Sequence, residues 1–176
     1  MAMWFWVFLI GSFGGYLLEK GYAAVTKADK RNRKSFLLLP LCPVYGCAVS
    51  LGLFLFERGA PVGLLLILPS IIEYVFHFFY ETVYGVEYWS YRGTWGSLRG
   101  RVCLPFSLCW AALMPFVLSG GRLLLPLLAD ISPRISYAVY LLFAADYICS
   151  RLFLLYCHDT ERLHVSDFVF ALRQSF

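Results

Sequence analysis

Glu73, His77 and Glu81 stand four residues apart in a run that is otherwise apolar or aromatic. On an α-helix that spacing stacks the three side chains on one stripe. Two carboxylates and an imidazole can load protons, hold a cation or act as acid and base. A carboxylate inside a membrane helix is costly: on insertion scales a charge at the helix centre costs on the order of 2.5–3.5 kcal/mol. Such groups are expected to face neighbouring helices, to pair with Arg or Tyr, or to stay protonated. After Glu81 the chain passes through an aromatic and basic stretch with Tyr88, Trp89, Tyr91, Arg92, Trp95, Arg99 and Arg101, and it re-enters an apolar run at Cys103.

Composition says what must surround that stripe. Of 176 residues, 60% are hydrophobic and 15% charged, and the mean hydropathy is +0.69. Soluble domains carry far more charge, and a chain this small cannot hide so much apolar surface from water, so lipid is its solvent. At roughly 20 residues per crossing, the length suits one domain, 1–176, of about five spans. Met3 to Tyr22 is too long and too aromatic for a cleaved signal, and reads as a retained first span. The net charge of +4 is placed by topology and is no nucleic-acid footprint. The six cysteines, Cys42, Cys47, Cys103, Cys109, Cys149 and Cys157, form no CxxC pair, which argues against a zinc ribbon or a thioredoxin-type motif. No cofactor motif occurs, and most of these cysteines read as small packed hydrophobes.

The elements that must position the stripe follow in order. Span one covers about Met3–Val25, with Gly11, Gly15 and Glu19 on one face, where small residues permit close helix approach. That face either carries Glu19 into the bundle or lets it reach the interface beside Lys20. Lys27, Lys30, Arg31, Arg33 and Lys34 form a basic loop. Span two covers about Phe36–Phe56, and Pro40 and Pro43 predict a broken entry, tolerated at membrane depth only beside protein or water. Span three covers about Val62–Tyr84, with Pro69 expected to kink it. The loop Gly85–Val102 is either an interfacial aromatic belt or a lid with arginines for an anion. Span four is expected at Cys103–Leu118, with Gly120–Leu128 as a re-entrant or interfacial continuation. Span five covers about Ser136–Tyr156 and contains Asp146, either a site residue or a helix–helix hydrogen-bonding group. Val165, Phe168, Val169, Leu172 and Phe176 give an amphipathic C-terminal helix on the cytosolic surface. His158 and His164 read as solvated.

Orientation follows from the basic residues. With the N-terminus outside, twelve of the fifteen Lys and Arg fall on the inner side and only Arg58, Arg122 and Arg134 on the outer. The result is an all-α membrane protein whose Glu19, Cys42, Tyr45, Glu81, Arg101, Cys103 and Ser107 lie in the cytosolic half, with Glu73 and Asp146 deeper. These groups are expected to converge on one cytosol-facing cavity.

Several segments resemble a known family. They are Gly15-Tyr16-Leu17-Leu18-Glu19, Pro40-Leu41-Cys42-Pro43-Val44-Tyr45-Gly46, Glu73-Tyr74 with Glu81, Trp89-Ser90-Tyr91, and Leu98-Arg99-Gly100-Arg101-Val102-Cys103-Leu104 with Ser107 and Trp110. Over about residues 8–112 the chain is similar to the CmpB-like family of small type IV ABC-transporter permeases. It departs from that pattern at Ser90, where Asp is usual, at Ser97, where Asn is usual, and at His77. The resemblance implies transport. These residues contain no Walker motif, so an ABC role implies a separate ATPase subunit.

Two classes of function follow. In a transport component, Glu19, Glu73 and Glu81 bind a cation or protons while Arg101 balances charge or holds an anion, and five spans per protomer are few for a pathway, so a homodimer or a partner is expected. In an intramembrane enzyme acting on a lipid or lipid-linked substrate, Glu81 or His77 serves as base, Arg101 as anion clamp and Cys42 or Cys103 as nucleophile. Glu73, His77 and Glu81 with a nearby Cys could instead hold a divalent metal, or the same groups could form a network that only fixes helix packing.

Overall fold

The computed structural model describes residues 2–26 and 37–157, with side chains up to residue 152. The basic loop at 27–34, the amphipathic tail, His158 and His164 lie outside the described residues. Within them the chain is all-helical, with five helices: α1 (Ala2–Thr26), α2 (Pro43–Glu57), α3 (Val62–Phe79, continued by a π-helical turn, Tyr80–Tyr84), α4 (Leu104–Ala129) and α5 (Pro133–Cys157). Ala2–Thr26, Val62–Tyr84, Leu104–Ala129 and Pro133–Leu152 are long and apolar enough to cross a membrane.

The short helix is α2. Its 15 residues rise about 22 Å, against roughly 30 Å of hydrocarbon. The non-helical, bent segment 37–42 precedes it, and Pro43 opens the helix at the position where a missing N–H costs nothing. The entry is therefore broken where the two prolines put it. Non-helical backbone at this depth needs partners within the protein, and it has them. The Leu38 and Leu39 amides donate to Ser150 Oγ and Asp146 Oδ1 of α5, both at 3.0 Å, and the Cys42 amide donates to the Ser12 carbonyl of α1 at 2.9 Å. Leu37 and Leu41 are buried.

α2 packs most extensively on α1, through small residues. Gly11 and Gly15 face Val49 and Tyr45, and Gly46 faces Ser12 and the Phe8 carbonyl. A Cβ at Gly15 would overlap the Tyr45 ring, so the backbones approach as closely as they do only because these positions lack one. The other side of α2 meets α3 and α4, where Leu53, Leu65 and Met114 are fully buried. α5 is held to α1 by aromatic stacking of Phe5 on Tyr140 (3.9 Å between centroids) and by the Trp6 indole donating to Ser136 Oγ at 3.0 Å.

One expectation is corrected. Span four does not stop at Leu118: α4 is a single 26-residue helix through Gly120, Gly121 and Pro126. A Cβ at Gly121 would lie 3.0 Å from Leu53 Cδ2, so the two helices meet closely here, and in lipid a helix satisfies its own backbone better than any re-entrant turn. Span three ends in a π-turn closed by Gly85, whose φ of 67° is left-handed. At the end formed by the 57–61 turn, Arg122 of α4 pairs with Glu57 of α2 at 3.2 Å, so two of the three arginines assigned to the outer side, Arg58 and Arg122, share one end of the bundle.

Candidate functional site

The carboxylate stripe on α3 divides. Four residues advance a helix by 40° beyond a full turn, so Glu73 and Glu81 differ by about 80° in direction. Glu73 turns to one side and is only 7% exposed. Its Oε1 accepts from the Tyr91 hydroxyl at 2.7 Å and its Oε2 from the Trp110 indole at 3.2 Å. Glu81 turns to the other side, where its Oε2 accepts from Arg101 Nε at 3.1 Å and Nη2 at 2.7 Å. Arg101 also donates from Nη1 to the Tyr74 hydroxyl at 2.8 Å, and its guanidinium lies 4.9 Å from the centre of the Phe78 ring. The hydrogen bond to Glu81 raises the guanidinium pKa above its already high value.

A cavity of about 70 Å³ opens on the Glu73 side. α1 contributes Tyr16 and Glu19 to it, and α2 with its entry contributes Cys42, Val44 and Tyr45. α3 contributes Glu73, α4 Trp110, and the 85–102 loop Tyr88, Trp89 and Tyr91. Tyr45 donates to Glu19 Oε1 at 2.8 Å and packs its ring on Trp110, with centroids 4.5 Å apart. Thus each carboxylate in this cavity carries a tyrosine hydroxyl. The Tyr88 hydroxyl, on a side chain 6% exposed, has no hydrogen-bond partner among the described residues. Burial first, and the neighbouring Tyr84 second, push its pKa up.

The loop folds back onto the helices. Its hairpin turns at Arg99 and Gly100, whose φ values of 55° and 76° are both left-handed, as a tight type I′ connection requires. The Arg101 amide closes that turn on the Leu98 carbonyl at 3.1 Å. The turn aims Arg101 back at Glu81. Trp89 joins the two polar centres. Its ring lines the cavity and its indole donates to the Arg101 carbonyl at 3.0 Å, while its own carbonyl accepts from His77 Nε2 at 2.9 Å. His77 Nδ1 then lies 3.8 Å from Glu81 Oε2.

Of the residues singled out in the sequence, Glu19, Cys42, Tyr45 and Glu73 meet in the cavity. His77, Glu81 and Arg101 form the adjoining network. Cys103 and Ser107 line a separate apolar groove between α3 and α4. Asp146 sits on α5 and holds the α2 entry. Among the described residues no set of three His, Cys, Asp or Glu is close enough to hold a metal ion. The cavity also uses Tyr16, Val44, Tyr88, Trp89, Tyr91 and Trp110, which sequence reasoning did not assign to it. Trp110 and the Trp89-Ser90-Tyr91 segment belong to the matching motifs, and that was their available signal. Ser90, where the family has Asp, is outside this lining; its hydroxyl lies 3.5 Å from the Arg92 amide.

A family model described as "Putative ABC-transporter type IV" matches residues 6–155, which extends well past the segment that carries the quoted motifs. No curated protein and no solved structure matches the chain.

Proposed function

The chain belongs to the CmpB-like type IV ABC-transporter family, and from that membership we propose that it is a small permease or substrate-binding subunit of the bacterial cytoplasmic membrane, with the Glu19–Glu73 cavity as its solute site. The single observation behind this reading is Glu73. A carboxylate 7% exposed, held by Tyr91 and Trp110 beside a cavity between apolar helices, is an expensive arrangement that a packing role does not call for. The basic residues favour an external N-terminus, which turns the lid and this cavity toward the cytosol. A cytosol-facing site suits a subunit coupled to ATP hydrolysis. The chain supplies no Walker motif, so a separate ATPase subunit completes the transporter, and a homodimer would provide enough helices for a pathway.

The lid supports alternating access. It is fastened to α3 at Glu73, His77 and Glu81, one contact per helical turn. Releasing those contacts would open the cavity without unpacking the helices. The test uses membrane vesicles from source cells lacking the gene and complemented with wild type or Glu73→Gln. Vesicles are incubated with a cell-metabolite extract with and without ATP, and their contents are read by mass spectrometry. The expected result is at least one solute accumulated by wild type and lost in Glu73→Gln. If no solute moves, or if lipids are chemically converted instead, the transport reading fails; conversion would point to the intramembrane enzyme.

A further inference from the structure

Resting on the reading of this cavity as a solute site, we propose that its occupant is a single-chain lipid amphiphile, with a small hydroxyl-bearing head in the cavity and its tail in an apolar groove between α1 and α4.

The groove comes first. α1 is drawn onto α2 at Gly11 and Gly15, and α1 and α4 leave between them a groove of about 280 Å³, with Tyr45 and Val49 of α2 in its lining. A Cβ at Gly14, in the same lining, would meet nothing within 4 Å. Ile10, Leu18 and Leu124 line the groove and are 40–50% exposed, so it is open at its side to lipid. Apart from the tips of Tyr45 and Trp110, every lining side chain is apolar. Along α1 the lining runs from Val7 to Leu18, about 16 Å at 1.5 Å per residue. That is about half of the roughly 30 Å hydrocarbon core, the depth that one acyl chain covers.

The groove is continuous with the cavity, because Tyr45 and Trp110 belong to both linings. Their polar atoms turn to the cavity side, where the Tyr45 hydroxyl meets Glu19 and the Trp110 indole N–H meets Glu73. Their rings are left to the apolar side. The pair is thus a boundary with a hydrogen-bonding face and an apolar face, which matches a ligand that is polar at one end and apolar at the other. The head end carries its own signal. The Tyr88 hydroxyl is buried, lies on a residue that lines the cavity and has no partner among the described residues. A buried hydroxyl left unpaired is costly. It can both donate and accept, and a hydroxyl on the ligand completes it. A cavity of about 70 Å³ exceeds several times the roughly 10–15 Å³ that one water needs, which suits a head of a few heavy atoms. In the proposed orientation the cavity is the cytosolic end of this path, so the ligand lies as an inner-leaflet lipid does.

The experiment uses the full chain in phosphatidylcholine nanodiscs and a monoacylglycerol that bears a photoreactive diazirine, either at the chain end or beside the head. Cross-linked residues are mapped by mass spectrometry. In wild type the chain-end probe is expected to label the end of the groove at Val7 and Leu128, and the head-side probe to label Tyr45 or Trp110. Labelling should saturate, with unlabelled monoacylglycerol competing at least about tenfold better than an alkane of equal length. Gly14→Phe fills the groove, where a methyl group would leave it open, and is expected to lose about tenfold in labelling. Gly21→Phe, equally bulky at an open position of α1 outside the lining, is expected to keep it. Tyr88→Phe is expected to weaken the competing monoacylglycerol by about three- to tenfold, as the loss of one hydrogen bond would. The wild-type map needs no variant, so a variant that misfolds does not remove the test. Labelling spread over the outward faces of all the helices, equal competition by the alkane, or undiminished labelling in Gly14→Phe overturns the proposal. Vesicles whose ATP-dependent cargo is only water-soluble overturn it too and leave the transport reading intact. Site-specific labelling in a protein whose vesicles carry nothing supports the proposal and sinks the transport reading alone.

Discussion

Gly14 and Gly15 of α1 are neighbours, yet the same added methyl group should act on them in opposite directions. At Gly15 a Cβ would overlap the root of the Tyr45 side chain, which cannot swing away as a flexible tip could. Tyr45 must shift, and with it goes the 2.8 Å hydrogen bond to Glu19. Overpacking of a tight contact costs about 1–3 kcal/mol and a lost bond to a charged acceptor about 1.5–3 kcal/mol, while Ala in place of a helical Gly returns about 0.5–1 kcal/mol. Gly15→Ala should therefore lose about 2–5 kcal/mol by those same terms. At Gly14 a Cβ meets no described atom within 4 Å, so Gly14→Ala keeps only the gain. Reversible unfolding in mixed micelles, followed by tryptophan fluorescence, measures both. Because Tyr45 also lines the cavity, Gly15→Ala should lower solute accumulation in the vesicle assay and Gly14→Ala should not. Equal stability of the two variants, or greater damage from Gly14→Ala, would refute the close α1–α2 contact and the placement of Tyr45 that depends on it.

Asp146→Ala removes the acceptor of the Leu39 amide and should cost about 1–3 kcal/mol, whereas Asp146→Asn keeps an acceptor oxygen and most of the stability; hydrogen exchange across residues 37–42 should rise in the first only. Gly100→Ala should loosen the lid hairpin by about 1–2 kcal/mol, since its left-handed φ disfavours a Cβ and Arg92 Cγ occupies the space, while Arg99→Gly at the adjoining left-handed position should be neutral or better. Exchange protection of the Tyr91 amide, which donates to the Gly100 carbonyl, reports on both variants. The raised pKa of Tyr88 gives a pH signature. The folded state holds the phenol proton more tightly than the unfolded state, so this contribution is full below the ordinary value of 10 and is lost as pH rises above it. Tyr88→Phe should flatten that alkaline decline in stability, and an unchanged slope would show that the hydroxyl is not buried.

What could be read from the chain was whatever local chemistry decides. Pro40 and Pro43 forbid a regular helix at the second entry in any tertiary setting, and the helix indeed begins at Pro43. Gly11 and Gly15 could only serve close approach, and they meet α2. The errors arise where local signals compete with the solvent. Gly120, Gly121 and Pro126 would end a helix in water; in lipid the alternative is bare backbone, so α4 continues. The aromatic loop was undecidable for a different reason. Tyr and Trp beside Arg suit a membrane interface as well as a lid, and the choice depends on whether a partner waits at the right height. Glu73 provides one for Tyr91, and Glu81 provides another for Arg101. The division of the carboxylate stripe has the same origin. A spacing of four is near enough to the helical period to put three groups on one side of a helix, but the 40° remainder accumulates, and two turns are enough to send Glu73 to one set of neighbours and Glu81 to another. The lid then reunites them, because Trp89 touches His77, Arg101 and the cavity at once. If the cavity is a solute site, the Arg101–Glu81 pair is the latch of its lid, and opening at Glu81 and emptying at Glu73 are two ends of one motion.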